Sequence, residues 1–256
     1  MARPREPLPP ALPPETRTVG QLVAESIRLY GRKFWRSLAL GLSLAFVNQV
    51  SAGHTRWFQL AVVFAAAPLF TASYTGASAL AADVRPSKRR TGAALIAGTV
   101  AFLPAPAFAL LFALPGVAWL AFVGLVVPVV VIEGLGFRAA FRRATRLARA
   151  DYVHAFGSLA TLAITFVLTR FMLAILLHGQ ADAATRVAAF LADLVLSPIM
   201  FLGAALLYFD QAARVVDSSP RPRRSRNADL RPTLEPDPPG RADAEVQSRP
   251  ASQGEQ

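Results

Sequence analysis

Residues 91–133 read TGAALIAGTVAFLPAPAFALLFALPGVAWLAFVGLVVPVVVIE, with no charged side chain before Glu133. As a helix this run would measure roughly 60 Å, at about 1.5 Å per residue. The hydrocarbon core of a bilayer is about 30 Å thick, so the run is near twice that length and must fold back. Leu114-Pro115-Gly116 is the best turn, giving crossings near 92–112 and 116–132. A break at Pro104-Ala105-Pro106 would leave a first arm too short to cross, so that pair is read as a kink in the third span. The fold class that follows is an all-α, polytopic membrane protein.

Working outward, four further spans are expected near 37–51, 57–82, 153–177 and 187–209, six in all. The first is short and contains Asn48-Gln49; the second carries Pro68 and many small residues. Thr18-Val19-Gly20-Gln21 has the form of a capping box. The helix after it, 18–34, places Val19, Leu22, Val23, Ile27 and Tyr30 on one side and Glu25, Arg28 and Arg32 on another. That pattern predicts an amphipathic helix at the membrane surface. A second is predicted at 135–150, where the apolar run ends at Glu133-Gly134 and gives way to FRAAFRRATRLARA (137–150). Residues 1–17 are Pro-rich and carry no apolar core, so they read as a disordered lead-in and not as a cleaved signal. Residues 211–256, rich in Pro, Arg, Asp and Ser, read as a disordered tail around a membrane domain of 18–210.

Composition agrees. The chain of 256 residues is 54% hydrophobic and only 17% charged, with mean hydropathy +0.39. Soluble domains carry about a quarter charged residues. The net charge of +11 would suit nucleic acid if it were spread over the chain, but the basic residues cluster just outside apolar runs, which argues against that partner. Arg28, Arg32, Lys33 and Arg36 precede span one; Arg85, Lys88, Arg89 and Arg90 separate spans two and three. The arginine helix separates spans four and five, and Arg221, Arg223, Arg224 and Arg226 follow span six. The opposite connections hold only Arg56 and Arg186. The positive-inside rule then predicts a bacterial cytoplasmic membrane protein with both termini in the cytoplasm.

With no cysteine in the chain, disulfides, thiolate metal sites and thiol nucleophiles are excluded. His54, His154 and His178 are far apart and share no acidic partner at metal spacing, and no nucleophile elbow, phosphate loop or dinucleotide fingerprint occurs. The expectation is a protein without catalysis, cofactor or metal. Three groups of residues remain as candidates. Arg138, Arg142, Arg146 and Arg149 form a stripe suited to anionic headgroups, since guanidinium takes phosphate bidentately; the plainer reading is a topology-fixing connector. Arg170 and Asp193 lie at similar depth in adjoining antiparallel spans, roughly 10 Å in. They are expected to pair, since a lone charge in lipid is expensive. Glu133 stands where it could cap the arginine helix or pair with an arginine. Membrane lipid and unidentified proteins are the expected partners.

Two short stretches, SIRLYGRKFW (26–35) and ATRLARADYV (144–153), share Arg-Leu followed by an aromatic five residues after the leucine, then a span. TVGQLVAESIRLYGRKF (18–34), VPVVVIEGLGFRAAFRRATRLARADYVHAFG (127–157) and LLYFDQAARV (206–215) together resemble the bacterial integral membrane proteins of the glycerophosphoryl diester phosphodiesterase membrane domain family. The resemblance covers about 18–216. Thr145 stands near the family's usual serine, and Gln211-Ala212-Ala213 interrupts its Asp-Leu-Arg run. The hydrolytic barrel of the namesake enzymes has no counterpart in this chain. The resemblance implies the membrane module alone, with Arg142 and Arg146 at motif positions. A non-catalytic module that scaffolds partners or engages anionic lipid is the leading expectation, with a transporter component second and an intramembrane enzyme third.

Overall fold

The computed structural model describes residues 17–111 and 113–218, and among them every regular element is helical. Helix α1 (Val19–Arg32) starts at a reciprocal cap: Gln21 N–H donates to the Thr18 hydroxyl at 3.4 Å and Thr18 N–H donates to Gln21 Oε1 at 2.8 Å. Its buried face is Leu22, Ser26 and Tyr30, which packs chiefly on the last helix of the bundle. Helix α2 (Phe34–Ser51) follows after Lys33. Helices α3 (Arg56–Ala65) and α4 (Ala67–Ala82) meet at a 49° bend just before Pro68. Next come α5 (Lys88–Phe102), α6 (Ala105–Leu111), α7 (Ala113–Val123) and the short α8 (Val126–Pro128). A π-helical turn, Val129–Glu133, leads to α9 (Phe137–Ala150), α10 (Tyr152–Leu176) and α11 (Asp182–Ser218). Thr55, Ser87 and Asp151 supply side-chain caps to α3, α5 and α10.

Four stretches are long and apolar enough to cross a membrane: Lys88–Phe108, Leu114–Glu133, Tyr152–Leu176 and Asp182–Val216. Counting the bent pair α3–α4 as a single span makes five. The first of the six expected spans, α2, is not among them: in its 18 residues Arg36, Asn48 and Gln49 dilute the apolar character. The spanning stretches differ in depth within the bundle. Of the most apolar window in Leu114–Glu133, 61% is buried, against 6% in Tyr152–Leu176. Val126, Val127 and Val129 are wholly enclosed, so the end of the uncharged run is the bundle's centre and α10 is its periphery.

Several expected boundaries move. Leu114-Pro115-Gly116 does not separate two helices but lies in the first turns of α7, where proline is tolerated because the first N–H groups have no partner in the helix. The third span is interrupted at Leu103-Pro104, between α5 and α6, beside the Pro104-Ala105-Pro106 pair expected to kink it. The last helix does not stop near 209: α11 is 37 residues long, roughly 55 Å, and exceeds the about 30 Å hydrocarbon thickness. Residues 211–218, expected in the tail, are therefore helical, and Gln211 is fully buried. Arg17, expected in the lead-in, is tied to Asp210. The rest of the lead-in and the tail beyond Ser218 lie outside the described residues.

The most extensive helix pair is α2 with α11, which run antiparallel. Pro198 in α11 has no N–H to give to the Leu194 carbonyl, four residues earlier. A Cβ on Gly41 would stand 2.1 Å from that Leu194 oxygen, so only glycine lets α2 close onto it. Hydroxyls serve the remaining interior contacts: Ser73 donates to Ser43 at 2.9 Å, and Tyr74 donates to the Ala204 carbonyl at 3.1 Å. Small and hydroxylic residues do this work where hydrophobic burial cannot drive helices together.

Candidate functional site

Pro128 lacks the N–H a regular turn needs, and the chain widens into the π-turn that ends at Glu133. Such widened turns frequently occur at functional sites. Gly134 then reverses direction with φ 69°, a left-handed conformation favouring glycine. A Cβ there would also meet the Arg90 guanidinium at 2.9 Å, so the start of α5 lies over this reversal. Helix α9 begins at Phe137 behind Gly136, which makes no side-chain cap. Glu133 does not cap it either. Its carboxylate accepts from Arg143 Nε at 3.1 and 3.2 Å and from the Tyr208 hydroxyl at 2.8 Å, tying the π-turn to α9 and α11. Arg143 and Tyr208 fill the role because they reach the carboxylate across the packing, whereas the helix start lies beyond two glycines.

Ala140, Ala144, Leu147 and Ala148 are fully buried on one face of α9. Arg138, Arg142, Arg146 and Arg149 project on the exposed side. Among the described residues, the first three form no ion pair, while Arg149 sits 5.7 Å from the Phe122 ring in a cation–π contact. The clusters that include Lys33 and Arg90 lie at the same end of the bundle. Lys33 pairs with Asp83 at the end of α4 and donates to the Leu80 carbonyl at 3.1 Å, which joins the α1–α2 junction to that end. The same ammonium holds the exposed Asp83 carboxyl below the usual carboxylate range. A fourth cluster, Arg221 to Arg226, lies outside the described residues.

Beside α9 is a second polar junction that the sequence did not reveal. The fully buried Asp210 accepts from Arg17 at 2.8 Å, and Arg214 donates to Asp151 at 2.7 Å and to the Arg17 carbonyl at 3.1 Å. Gln211 donates to the Asp151 carbonyl at 3.1 Å, and His154 Nε2 lies 3.7 Å from Asp210. These contacts clasp the start of α1 and the start of α10 to the protruding end of α11. Asp210 and Arg214 stand in the LLYFDQAAR stretch, so the residues were visible but their partners were not.

At the opposite end, the structure brings Arg170 and Asp193 together. The Arg170 guanidinium donates to both carboxylate oxygens, and Asn48 Nδ2 donates to Asp193 Oδ2 at 2.9 Å. Asp193 is 1% exposed and Arg170 one-third exposed, so the charge that needs compensation most is the carboxylate. Asn48 is the member missed. Its signal was a polar pair, Asn48-Gln49, inside an otherwise apolar run.

No group of three metal-ligating side chains occurs among the described residues. Two cavities of about 110 and 330 Å³ lie at mid-bundle, lined almost wholly by hydrocarbon. No protein family, curated protein or solved structure matches the chain.

Proposed function

We propose that this chain is a six-span module of a bacterial cytoplasmic membrane that engages anionic lipid headgroups through α9 and performs no chemistry of its own. In this reading α2 is the first span, short but seated antiparallel on α11, and all basic clusters face the cytoplasm. Membership of the glycerophosphoryl diester phosphodiesterase membrane domain family, suggested by the motif resemblance, belongs to the same proposal.

The observation that carries it is the division of labour along α9. Its alanine and leucine face is spent on the bundle, Arg143 is spent on Glu133, and Arg138, Arg142 and Arg146 are left exposed without an acidic partner among the described residues. Guanidinium groups held in a row at the lipid boundary suit phosphate. A transporter, the second reading, needs a wetted route to mid-membrane. What favours the lipid-engaging module is that the mid-bundle cavities are apolar and that Asp193 is satisfied by Arg170 and Asn48.

The test compares wild type with Arg138→Gln/Arg142→Gln/Arg146→Gln in nanodiscs of rising phosphatidylglycerol content. Wild type should gain thermal stability with anionic lipid and the variant should lose most of that gain, on the order of 1 kcal/mol per arginine. A gain identical in both proteins would end the proposal.

A further inference from the structure

Arg170 commits only part of its guanidinium to Asp193. Both hydrogen bonds to the carboxylate come from one nitrogen, Nη1. Nε and Nη2 have no partner among the described residues, and the side chain is one-third exposed. The edge left free is the two-pronged one, whose parallel N–H groups match two oxygens of a phosphate. Val167, one turn earlier, and Phe171, the next residue, are each more than half exposed, so lipid lies against this part of α10. Arg170 stands six residues before the end of that helix, about 9 Å along it. N–H groups without an acceptor at such depth are costly, and an arginine there draws polar matter inward by thinning the bilayer locally.

Helix α2 independently brings the membrane surface to this height. Its apolar run between Arg36 and Asn48 is eleven residues, roughly 16 Å, well short of the about 30 Å hydrocarbon core. Leu42 and Phe46 are exposed on it, and the polar pair Asn48-Gln49 follows Phe46 within one turn. A span this short thins the bilayer around it. Asn48 donates to the same carboxylate as Arg170, so the surface drawn in along α2 reaches the level of Arg170. Both α2 and α10 pack on α11, and Asp193 of α11 is where their side chains meet. The charges suit an anion. At this end the described residues set Arg56, Arg170 and Arg186 against Asp182 and Asp193, which leaves one positive charge over. Arg186 lies two turns nearer the start of α11 than Asp193 and forms no ion pair among the described residues.

We propose that Arg170 holds the phosphate of one glycerophospholipid from the leaflet opposite α9, seated over α11 between α2 and α10, with two phosphate oxygens on Nε and Nη2. Asp193 then fixes the guanidinium from beneath, and the edge it leaves free faces the lipid. Phosphate is the acceptor that the membrane itself supplies. The inference rests on the bundle crossing a membrane and not on the arginines of α9.

The full chain is placed in nanodiscs of phosphatidylcholine or of digalactosyl diacylglycerol with the same acyl chains. Neither lipid has net charge, so any preference of α9 for anionic lipid is silent. After transfer to detergent, native mass spectrometry counts the lipid that stays bound. Wild type should keep one phosphatidylcholine and lose the galactolipid. Arg170→Lys retains a cation for Asp193 but removes the two-pronged edge, and its retention should fall about tenfold, as for one lost charge-assisted hydrogen bond. Arg138→Gln/Arg142→Gln/Arg146→Gln should retain the phospholipid as wild type does. Thermal unfolding shows whether the lysine variant is folded; if it is not, the comparison of the two lipids on wild type decides. Equal retention of both lipids by wild type would overturn the proposal, because phosphate would not be the group held. Retention of neither would mean that water satisfies the edge, and the proposal would fall. Undiminished retention in folded Arg170→Lys, or loss in the α9 variant, would place the lipid elsewhere and overturn it too.

Discussion

Asp193 illustrates what one carboxylate demands at membrane depth. Isolated, it would be strongly unfavourable in hydrocarbon; here it receives Arg170 on both oxygens and Asn48 on one. Removing Arg170 alone leaves a buried charge uncompensated, at a cost of about 3 kcal/mol, and removing Asp193 alone strands the guanidinium. Arg170→Ala/Asp193→Ala should therefore cost less than the sum of the single variants, and Asn48→Ala about 1.5 kcal/mol. Unfolding of wild type and these four variants in nanodiscs measures this, and additive losses would deny the coupling. The pairing was legible because both charges fall at one depth in adjoining spans. Asn48 was not, since an amide in an apolar run reads equally well as a fault in the helix. Glu133 shows the same limit: its place in the sequence allowed either a cap or an arginine partner, and the choice of Arg143, with Tyr208 beside it, comes from packing that no local pattern encodes.

Helix identity was largely written in periodicity and caps; helix ends were not. The alanine-and-arginine alternation of 137–150 gives α9 directly, and the Thr18 box gives α1. What moved were boundaries decided by tertiary contacts. Residues 211–218 look polar and tail-like, yet Gln211 and Arg214 are held by Asp151 and Arg17, so α11 continues. Leu114-Pro115-Gly116 looks like a turn, but proline and glycine near a helix start are compatible with helix. The crossing of α2 on α11 depends on a single absent methyl group. Gly41→Ala would drive a Cβ into the Leu194 carbonyl, which is backbone and cannot rotate away. The variant should lose about 1–3 kcal/mol, typical of overpacking, whereas Gly92→Ala, with nothing within 4 Å of the added carbon, should be close to neutral. Melting both in one detergent compares them directly, and equal stability would mean that the α2–α11 contact is looser than described.

Taken whole, the molecule has two unlike ends. One gathers Lys33, Arg90, the α9 arginines and the clasp of Arg17, Asp151, Asp210 and Arg214; the other holds the Arg170–Asp193–Asn48 cluster, with mid-bundle cavities between. That asymmetry follows from where the arginines stand in the sequence, and it is the reason orientation can be argued at all. The cavities could not be foreseen, because they are spaces left by side chains from five or more helices. Since the chain contains no cysteine, single cysteines can be introduced without a background. Arg89→Cys and Arg142→Cys mark the basic end; His54→Cys and Gln180→Cys mark the other, and all four positions are exposed. Labelling intact cells with a membrane-impermeant maleimide tests the central claim most directly. Positions 54 and 180 should react from outside, and 89 and 142 only after the membrane is opened. Labelling of 89 or 142 in intact cells, or equal reactivity of all four, would contradict an arginine helix held at the inner leaflet.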